Sequence, residues 1–109
     1  MSDSVLHRPS GLVFVSGQTA GGDDDVRAQT ASVLAKVDAK LAEAGTDKTR
    51  LLQAQIWLKD MTHFAAMNEV WNGWLDPHNK PARATVQGEM ARPNILVEVM
   101  VVAASGVPK

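Results

Sequence analysis

The chain has 109 residues, of which 45% are hydrophobic and 21% are charged, and this composition fits one globular domain spanning residues 1–109. Its 11 basic and 12 acidic residues give a net charge of −1, so no broad attraction to nucleic acid or to an anionic membrane is expected. The absence of cysteine excludes disulfides, thiolate nucleophiles and zinc–thiolate sites. The chain shows neither a signal-peptide pattern nor an apolar run of the ~20 residues that span a bilayer. We therefore expect a cytoplasmic protein.

The first half of the chain predicts a β-hairpin followed by a helix. A short strand at residues 5–7 and a strand from Leu12 to Ser16 are joined by the turn Pro9-Ser10-Gly11. From Val26 to Ala44, apolar residues recur at steps of three and four, which is typical of a helix with one buried face. The acidic residues 23–25 come just before it, where negative side chains favour a helix start. We interpret this triplet as a cap, and the less favoured alternative is a divalent metal site.

The second half predicts a strand, a helix and two further strands. Alternation from Leu51 to Lys59 predicts a strand that buries the apolar residues at even positions from Leu52 onwards. An apolar stripe from Phe64 to Leu75 predicts the second helix. Strands follow at Ala82–Glu89 and Ile95–Ala104, and the last is apolar on both faces, which favours a central place in a layered or oligomeric structure. The order ββαβαββ predicts an α+β fold with two helices packed on one sheet.

Two charged residues stand out on the last two strands. Glu98 lies among residues that are apolar on both faces, and a buried carboxylate is costly unless it pairs with a cation or works in a site. If these two strands form a hairpin, Arg83 lies about one or two rungs from Glu98. A guanidinium fits a carboxylate with two parallel hydrogen bonds. The spacing leaves two interpretations open: a structural Arg83–Glu98 salt bridge, or an anion-binding site at Arg83.

Three smaller features are also candidates for a pocket. Ser16 precedes Gly17, which permits close approach of the backbone, and Asn68 places an amide on the apolar stripe of the second helix. Each alone is typical of a turn residue or of a satisfied core amide. The three histidines show no metal-ligand or nucleophile spacing, and we predict that they lie on the surface.

Several segments can be considered together. They are Val15-Ser16-Gly17-Gln18, Leu58-Lys59-Asp60 with Phe64-Ala65-Ala66-Met67-Asn68, Pro81-Ala82-Arg83-Ala84-Thr85-Val86, and Leu96-Val97-Glu98-Val99. In this order and spacing the chain resembles the RidA/YjgF family, the reactive intermediate deaminases also called endoribonuclease L-PSP. The resemblance runs from about Leu12 to Ala104, and its most specific part is the Pro-Ala-Arg segment followed by the Val-Glu-Val strand. The stretch Trp71-Asn72-Gly73-Trp74 resembles a less-characterised branch.

The resemblance implies a chorismate-mutase-like fold that assembles as a homotrimer, with sites in the clefts between subunits. It implies a hydrolase that deaminates enamines and imines such as 2-iminopropanoate and 2-iminobutanoate, released by pyridoxal-phosphate enzymes, to 2-oxo acids. Arg83 would bind the substrate carboxylate and Glu98 would orient water. The other implied pocket residues are Ser16, Gly17, Asn68, Ala84 and Thr85. Neither a metal nor a cofactor is expected.

The chain departs from the family pattern in two places. The family's upstream aromatic residue has no counterpart, because the chain contains no tyrosine and has Asp3 or Ser4 near that position. Thr85 stands where a cysteine is frequent. Two other functions remain open: a non-catalytic regulatory trimer that binds small carboxylates, and an endoribonuclease or translation inhibitor. The net charge of −1 gives the RNA hypothesis little support.

Overall fold

The chain folds into one mixed five-stranded sheet with two helices, in a computed structural model that describes residues 3–22 and 24–106. The elements in order are β1 (Ser4–His7), β2 (Leu12–Thr19), α1 (Val26–Glu43), β3 (Leu51–Leu58), α2 (Phe64–Trp74), β4 (Ala82–Gln87) and β5 (Val97–Ala104). Short 3₁₀ turns at Lys48–Arg50 and Met61–His63 precede β3 and α2. The predicted α+β class, with two helices on one sheet, is confirmed.

The first helix begins at a side-chain cap. Asp25 Oδ1 accepts a hydrogen bond of 2.9 Å from the backbone N–H of Ala28, which satisfies one of the free donors at the helix start. This supports the capping interpretation for Asp25, whereas Asp23 lies outside the described residues. Over the ranges 3–22 and 24–106, no group of three or more His, Cys, Asp or Glu residues could hold a metal ion. Within the same ranges, neither helix is long and apolar enough to cross a bilayer.

The sheet order is β1-β2-β5-β3-β4, so β5 is the central strand, as its apolar composition predicts. The predicted hairpin between β4 and β5 is wrong. The strand β3 lies between them, and β4 pairs with β3 in parallel. The reason is that α2 returns the chain to the end of the sheet at which β3 begins. The elements β3, α2 and β4 therefore form a crossover unit with parallel strands.

One face of the sheet packs against the helices, and we call it the helix face. Its core includes Ile56 of β3 and Val99 of β5, which are fully buried and belong to one hydrophobic cluster with the buried residues of α1. The prediction that Leu52 is buried is wrong. An irregularity between Leu51 and Gln53 shifts the register, so that Leu51 is buried and Leu52 is exposed.

Neither α1 nor α2 covers the opposite face, which we call the open face. Two of its central side chains are large, apolar and exposed, with Phe14 of β2 at 44% and Met100 of β5 at 40% exposure. Val5 of β1 and Val86 of β4, on the outer strands, are also exposed. An exposed apolar surface of this kind is typical of an interaction site.

Candidate functional site

Arg83 points from β4 to the helix face. It pairs with Ala54, a buried residue of that face, and side chains of paired residues in neighbouring strands point the same way. Its Nη1 donates a hydrogen bond of 2.7 Å to Asn68 Oδ1 on α2. Among residues 3–22 and 24–106, no carboxylate forms a salt bridge with Arg83. Partial burial lowers the pKa of its guanidinium, which nevertheless stays protonated at neutral pH. Arg83 is therefore a poorly hydrated cation without a counter-ion among the described residues.

Glu98 points from β5 to the open face. It lies between Thr19 of β2 and Trp57 of β3, and its side chain is half-buried. The neighbouring β2 is irregular between Val15 and Gln18, which leaves two residues opposite a single rung of β5. Gly17 belongs to this bulge, and the carboxylate of Glu98 lies directly on it, because a Cβ at Gly17 would overlap Glu98 Oε2. The bulge thus provides the space in which the carboxylate sits.

Arg83 and Glu98 do not meet within one chain. They point to opposite faces of the sheet, and β3 separates their strands, which places the strands about 10 Å apart. The register adds three residues along β3, from Ala54 to Trp57, or about another 10 Å. The structural salt bridge between Arg83 and Glu98 is therefore wrong for the single chain, and so is the predicted separation of one or two rungs.

The other predicted site residues divide between these two places. Asn68 and Thr85 lie with Arg83 on the helix face, and the buried Oγ1 of Thr85 has no hydrogen-bond partner among the described residues. Ser16 lies with Gly17 in the bulge of β2, where its hydroxyl accepts from Gln18 Nε2 at 3.3 Å. Ala84 pairs with Gln55 and points to the open face at the outer strand, apart from both groups. A further cleft of about 600 Å³, between Lys59 and the loop 87–93, contains none of these residues.

Comparison with known proteins identifies the family. The family model described as endoribonuclease L-PSP matches residues 2–105. The chain belongs to this family, the RidA/YjgF family. A RutC family protein of Haemophilus influenzae is 41% identical over 105 residues, which cover 94% of this chain and 89% of that protein. RutC family protein YoaB of Escherichia coli is 39% identical over 103 residues, which also cover 94% and 89%.

A solved structure supports the same assignment. NMB1025, a member of the YjgF protein family from Neisseria meningitidis, superposes with a TM-score of 0.93 at 40% identity. The match covers 99% of this chain and 89% of that one. The membership of the RidA/YjgF family that the four sequence segments indicated is thus confirmed.

In this RidA/YjgF chain, Asp3 lies near the position at which the aromatic residue is missing. Its side chain forms a salt bridge of 3.1 Å with Lys40, and its carbonyl accepts from the N–H of Ser16 at 2.8 Å. The carboxylate therefore ties the edge of the sheet to α1, beside the bulge that carries Gly17. This local tether gives the position a structural role without an aromatic ring.

Sequence reasoning missed the surroundings of Arg83 in this family member. Phe64 and Trp71 of α2 both contact its guanidinium through their rings, yet their seven-residue spacing was interpreted only as a core stripe. His63, predicted at the surface, is half-buried, and its Nδ1 has no hydrogen-bond partner within the described part of the chain. The other two histidines, His7 and His78, are exposed as predicted. The sequence did contain a signal for these contacts. A helix with Phe64 and Trp71 on one stripe is followed directly by a strand that carries an arginine.

Proposed function

We propose that this protein hydrolyses reactive 2-imino acids of the 2-iminopropanoate and 2-iminobutanoate type, with their enamine tautomers, to 2-oxo acids. The observation that carries the proposal is Arg83, a half-buried cation whose charge no carboxylate of the described residues neutralises. Such a guanidinium offers its remaining N–H donors to a planar anion. A 2-imino acid supplies that anion as its carboxylate. Pyridoxal-phosphate enzymes that release enamines would supply the substrate.

The catalytic site needs two copies of the chain. Arg83 and Glu98 lie on opposite faces and are separated by β3, whereas a three- or four-carbon acid spans only a few ångströms. One substrate can contact both residues only if Arg83 comes from one copy and Glu98 from another. The exposed apolar residues of the open face, among them Phe14 and Met100, supply a surface for that contact.

We favour a homotrimer for this assembly. A contact between the β4–α2 side of one copy and the open face of the next joins two different surfaces, and repeated contacts of this type form a ring when the rotation between copies closes. Three copies would give three equivalent sites, each with Arg83 from one subunit and Glu98 from its neighbour. The chorismate-mutase-like arrangement implied by the family resemblance has this form.

The chemistry requires a bound anion, a water and one carboxylate. The water oxygen adds to C2 of the imine while Glu98 takes one proton from the water and passes it to the imine nitrogen. In the resulting carbinolamine, Glu98 moves the hydroxyl proton to the same nitrogen, the C2–N bond breaks, and ammonia leaves with the 2-oxo acid. A positioned acid/base group supplies about 10²–10⁴-fold of acceleration, and fixing the anion at Arg83 adds orientation.

A coupled assay tests this proposal. A dehydratase that releases 2-aminoacrylate would be run with and without the purified protein, and pyruvate formation would be followed under conditions in which spontaneous hydrolysis is slow. We expect pyruvate to form faster with wild-type protein and at the spontaneous rate with Arg83→Ala. Wild-type protein that forms pyruvate only at the spontaneous rate would refute deamination, and equal acceleration by wild-type and Arg83→Ala protein would refute the role of Arg83.

Carboxylate binding without turnover is the second candidate, and the tether at Asp3 favours it. With Asp3 bound to Lys40, no aromatic ring of this chain closes the pocket at that position. This regulatory candidate predicts that pyruvate raises the melting temperature of wild-type protein but not of Arg83→Lys, while the coupled assay shows no acceleration. Acceleration in the coupled assay would exclude it.

Gly17→Ala tests the role of the bulge in this function. We expect turnover to fall by roughly 10- to 100-fold, because a methyl group at this position would displace the carboxylate of Glu98, and small displacements of a catalytic group are costly. Pyruvate affinity and the melting temperature would change little, since the φ angle of Gly17 is not positive. The measurement is kcat in the coupled assay.

Gly73→Ala is the matched control for Gly17→Ala. Gly73 lies on α2, and a Cβ there would meet nothing within 4 Å. The control should keep wild-type turnover and gain about 0.5–1 kcal/mol of stability from the better helix former. Wild-type kcat in Gly17→Ala would contradict the proposed placement of Glu98.

A further inference from the structure

The guanidinium of Arg83 lies in a cradle formed by one face of α2. Its Cζ is 5.6 Å from the ring centroid of Phe64 and 5.5 Å from that of Trp71. Asn68 lies between these rings in sequence and accepts a hydrogen bond of 2.7 Å from Arg83 Nη1. The three helix residues follow one another at steps of four and three, so they share one face of the helix. We call them the α2 cradle.

We infer that the α2 cradle holds the guanidinium of Arg83 in one orientation for carboxylate binding, and that Trp71 is a positioning residue in this site. The inference rests on the proposed function, because it concerns the same carboxylate contact. Trp71 is only 3% exposed, so it acts on a ligand through Arg83 and not by direct contact. Phe64, at 36% exposure, closes the solvent side of the cradle.

The two rings fix the cation without neutralising it. Arginine loses much rotamer freedom when it is held, and rings that already hold it remove that loss from the binding step. Aromatic faces attract a cation through their quadrupole but carry no net charge. The positive charge of Arg83 therefore remains available to an incoming anion. Its burial, which lowers its pKa, also reduces the hydration that a ligand must displace.

The neutral amide of Asn68 also leaves the positive charge of Arg83 available to an anion. An aspartate there could accept the same hydrogen bond from Arg83, but it would pair with the cation and repel a substrate carboxylate. Asn68 Oδ1 accepts from one of the five N–H donors of Arg83, and the others have no hydrogen-bond partner in the described part of the chain. The cradle thus combines a fixed geometry with an unneutralised charge.

The test measures pyruvate affinity by calorimetry together with the Nε–H signal of Arg83 by ¹⁵N-edited NMR, assigned from its loss in Arg83→Lys. We expect Trp71→Leu to weaken binding by about five- to tenfold, and to shift the Nε–H signal and speed its exchange with water. Trp71→Phe should restore most of the affinity. Asn68→Asp should keep the Nε–H signal protected but weaken pyruvate binding by about tenfold or more.

Trp74→Phe is the control, since Trp74 lies on the same helix, its indole N–H donates to Asp38, and phenylalanine keeps an aromatic ring beside Trp71. Wild-type affinity with an unchanged Nε–H signal in Trp71→Leu would overturn the inference, and so would wild-type affinity in Asn68→Asp. If the wild-type protein itself binds no pyruvate, the proposed function fails. The Nε–H signal then decides alone: a shift in Trp71→Leu supports the positioning role, and an unchanged signal overturns it.

Discussion

Arg83→Lys is expected to weaken pyruvate binding by roughly 30- to 150-fold, which corresponds to about 2–3 kcal/mol for charge-assisted hydrogen bonds that are no longer made. Lysine keeps the positive charge but loses the planar fork of donors that grips both carboxylate oxygens. It also loses the delocalised cation that lies between Phe64 and Trp71. Calorimetric titration of wild-type and variant protein with pyruvate measures the effect.

Arg27→Lys makes the same substitution at a remote place. Arg27 is an exposed residue of α1 that forms an ion pair with Glu69, and exposed pairs contribute little. This control should bind pyruvate like the wild type. An Arg83→Lys variant that also binds within about twofold of wild type would contradict the assignment of Arg83 as the carboxylate-binding residue.

Glu98→Gln is expected to lower kcat in the coupled assay by at least ~100-fold, because an amide cannot carry the proton between water and nitrogen. Pyruvate affinity should stay within about threefold of wild type, since the carboxylate is held by Arg83 and not by Glu98. The near-isosteric change also preserves the contact with Gly17. A parallel loss of affinity and kcat would instead indicate a structural role for Glu98.

Glu43→Gln provides the control for this charge change. Glu43 is exposed at the end of α1 and lies 3.6 Å from Lys40. Its loss should leave both kcat and pyruvate affinity unchanged. Both variants lose one negative charge, but only Glu98→Gln loses the proposed catalytic carboxylate. A difference between them is therefore due to the catalytic role and not to the change in net charge.

The elements and their order could be predicted from the sequence because each depends on local patterns. Alternating apolar residues marked the strands, and a stripe at helical spacing marked α1 and α2. The partners of β4 could not be predicted in this way. The short connection between the predicted strands Ala82–Glu89 and Ile95–Ala104 was interpreted as a hairpin turn, whereas β4 pairs with β3 through the α2 crossover. The rule that applied instead is that a strand–helix–strand unit joins two parallel strands of the same sheet.

That single error in strand pairing determined the error in the site. Arg83 and Glu98 were selected as charges on the last two strands, but the predicted hairpin put them side by side. With β3 between them, alternation places them on opposite faces. The contacts of Arg83 with Phe64 and Trp71 belong to the same unit, since α2 joins β3 to β4.

The most direct test of the shared site is a mixture of two inactive variants. Arg83→Ala and Glu98→Gln chains would be co-expressed with different affinity tags, and oligomers carrying both tags would be purified. In a closed trimer of either mixed composition, one site receives Arg83 and Glu98 from two chains that are intact at those positions. We therefore predict that the mixed oligomers recover about one third of wild-type turnover, although each parent is inactive. Mixed oligomers as inactive as their parents would contradict a site built from two copies of this chain.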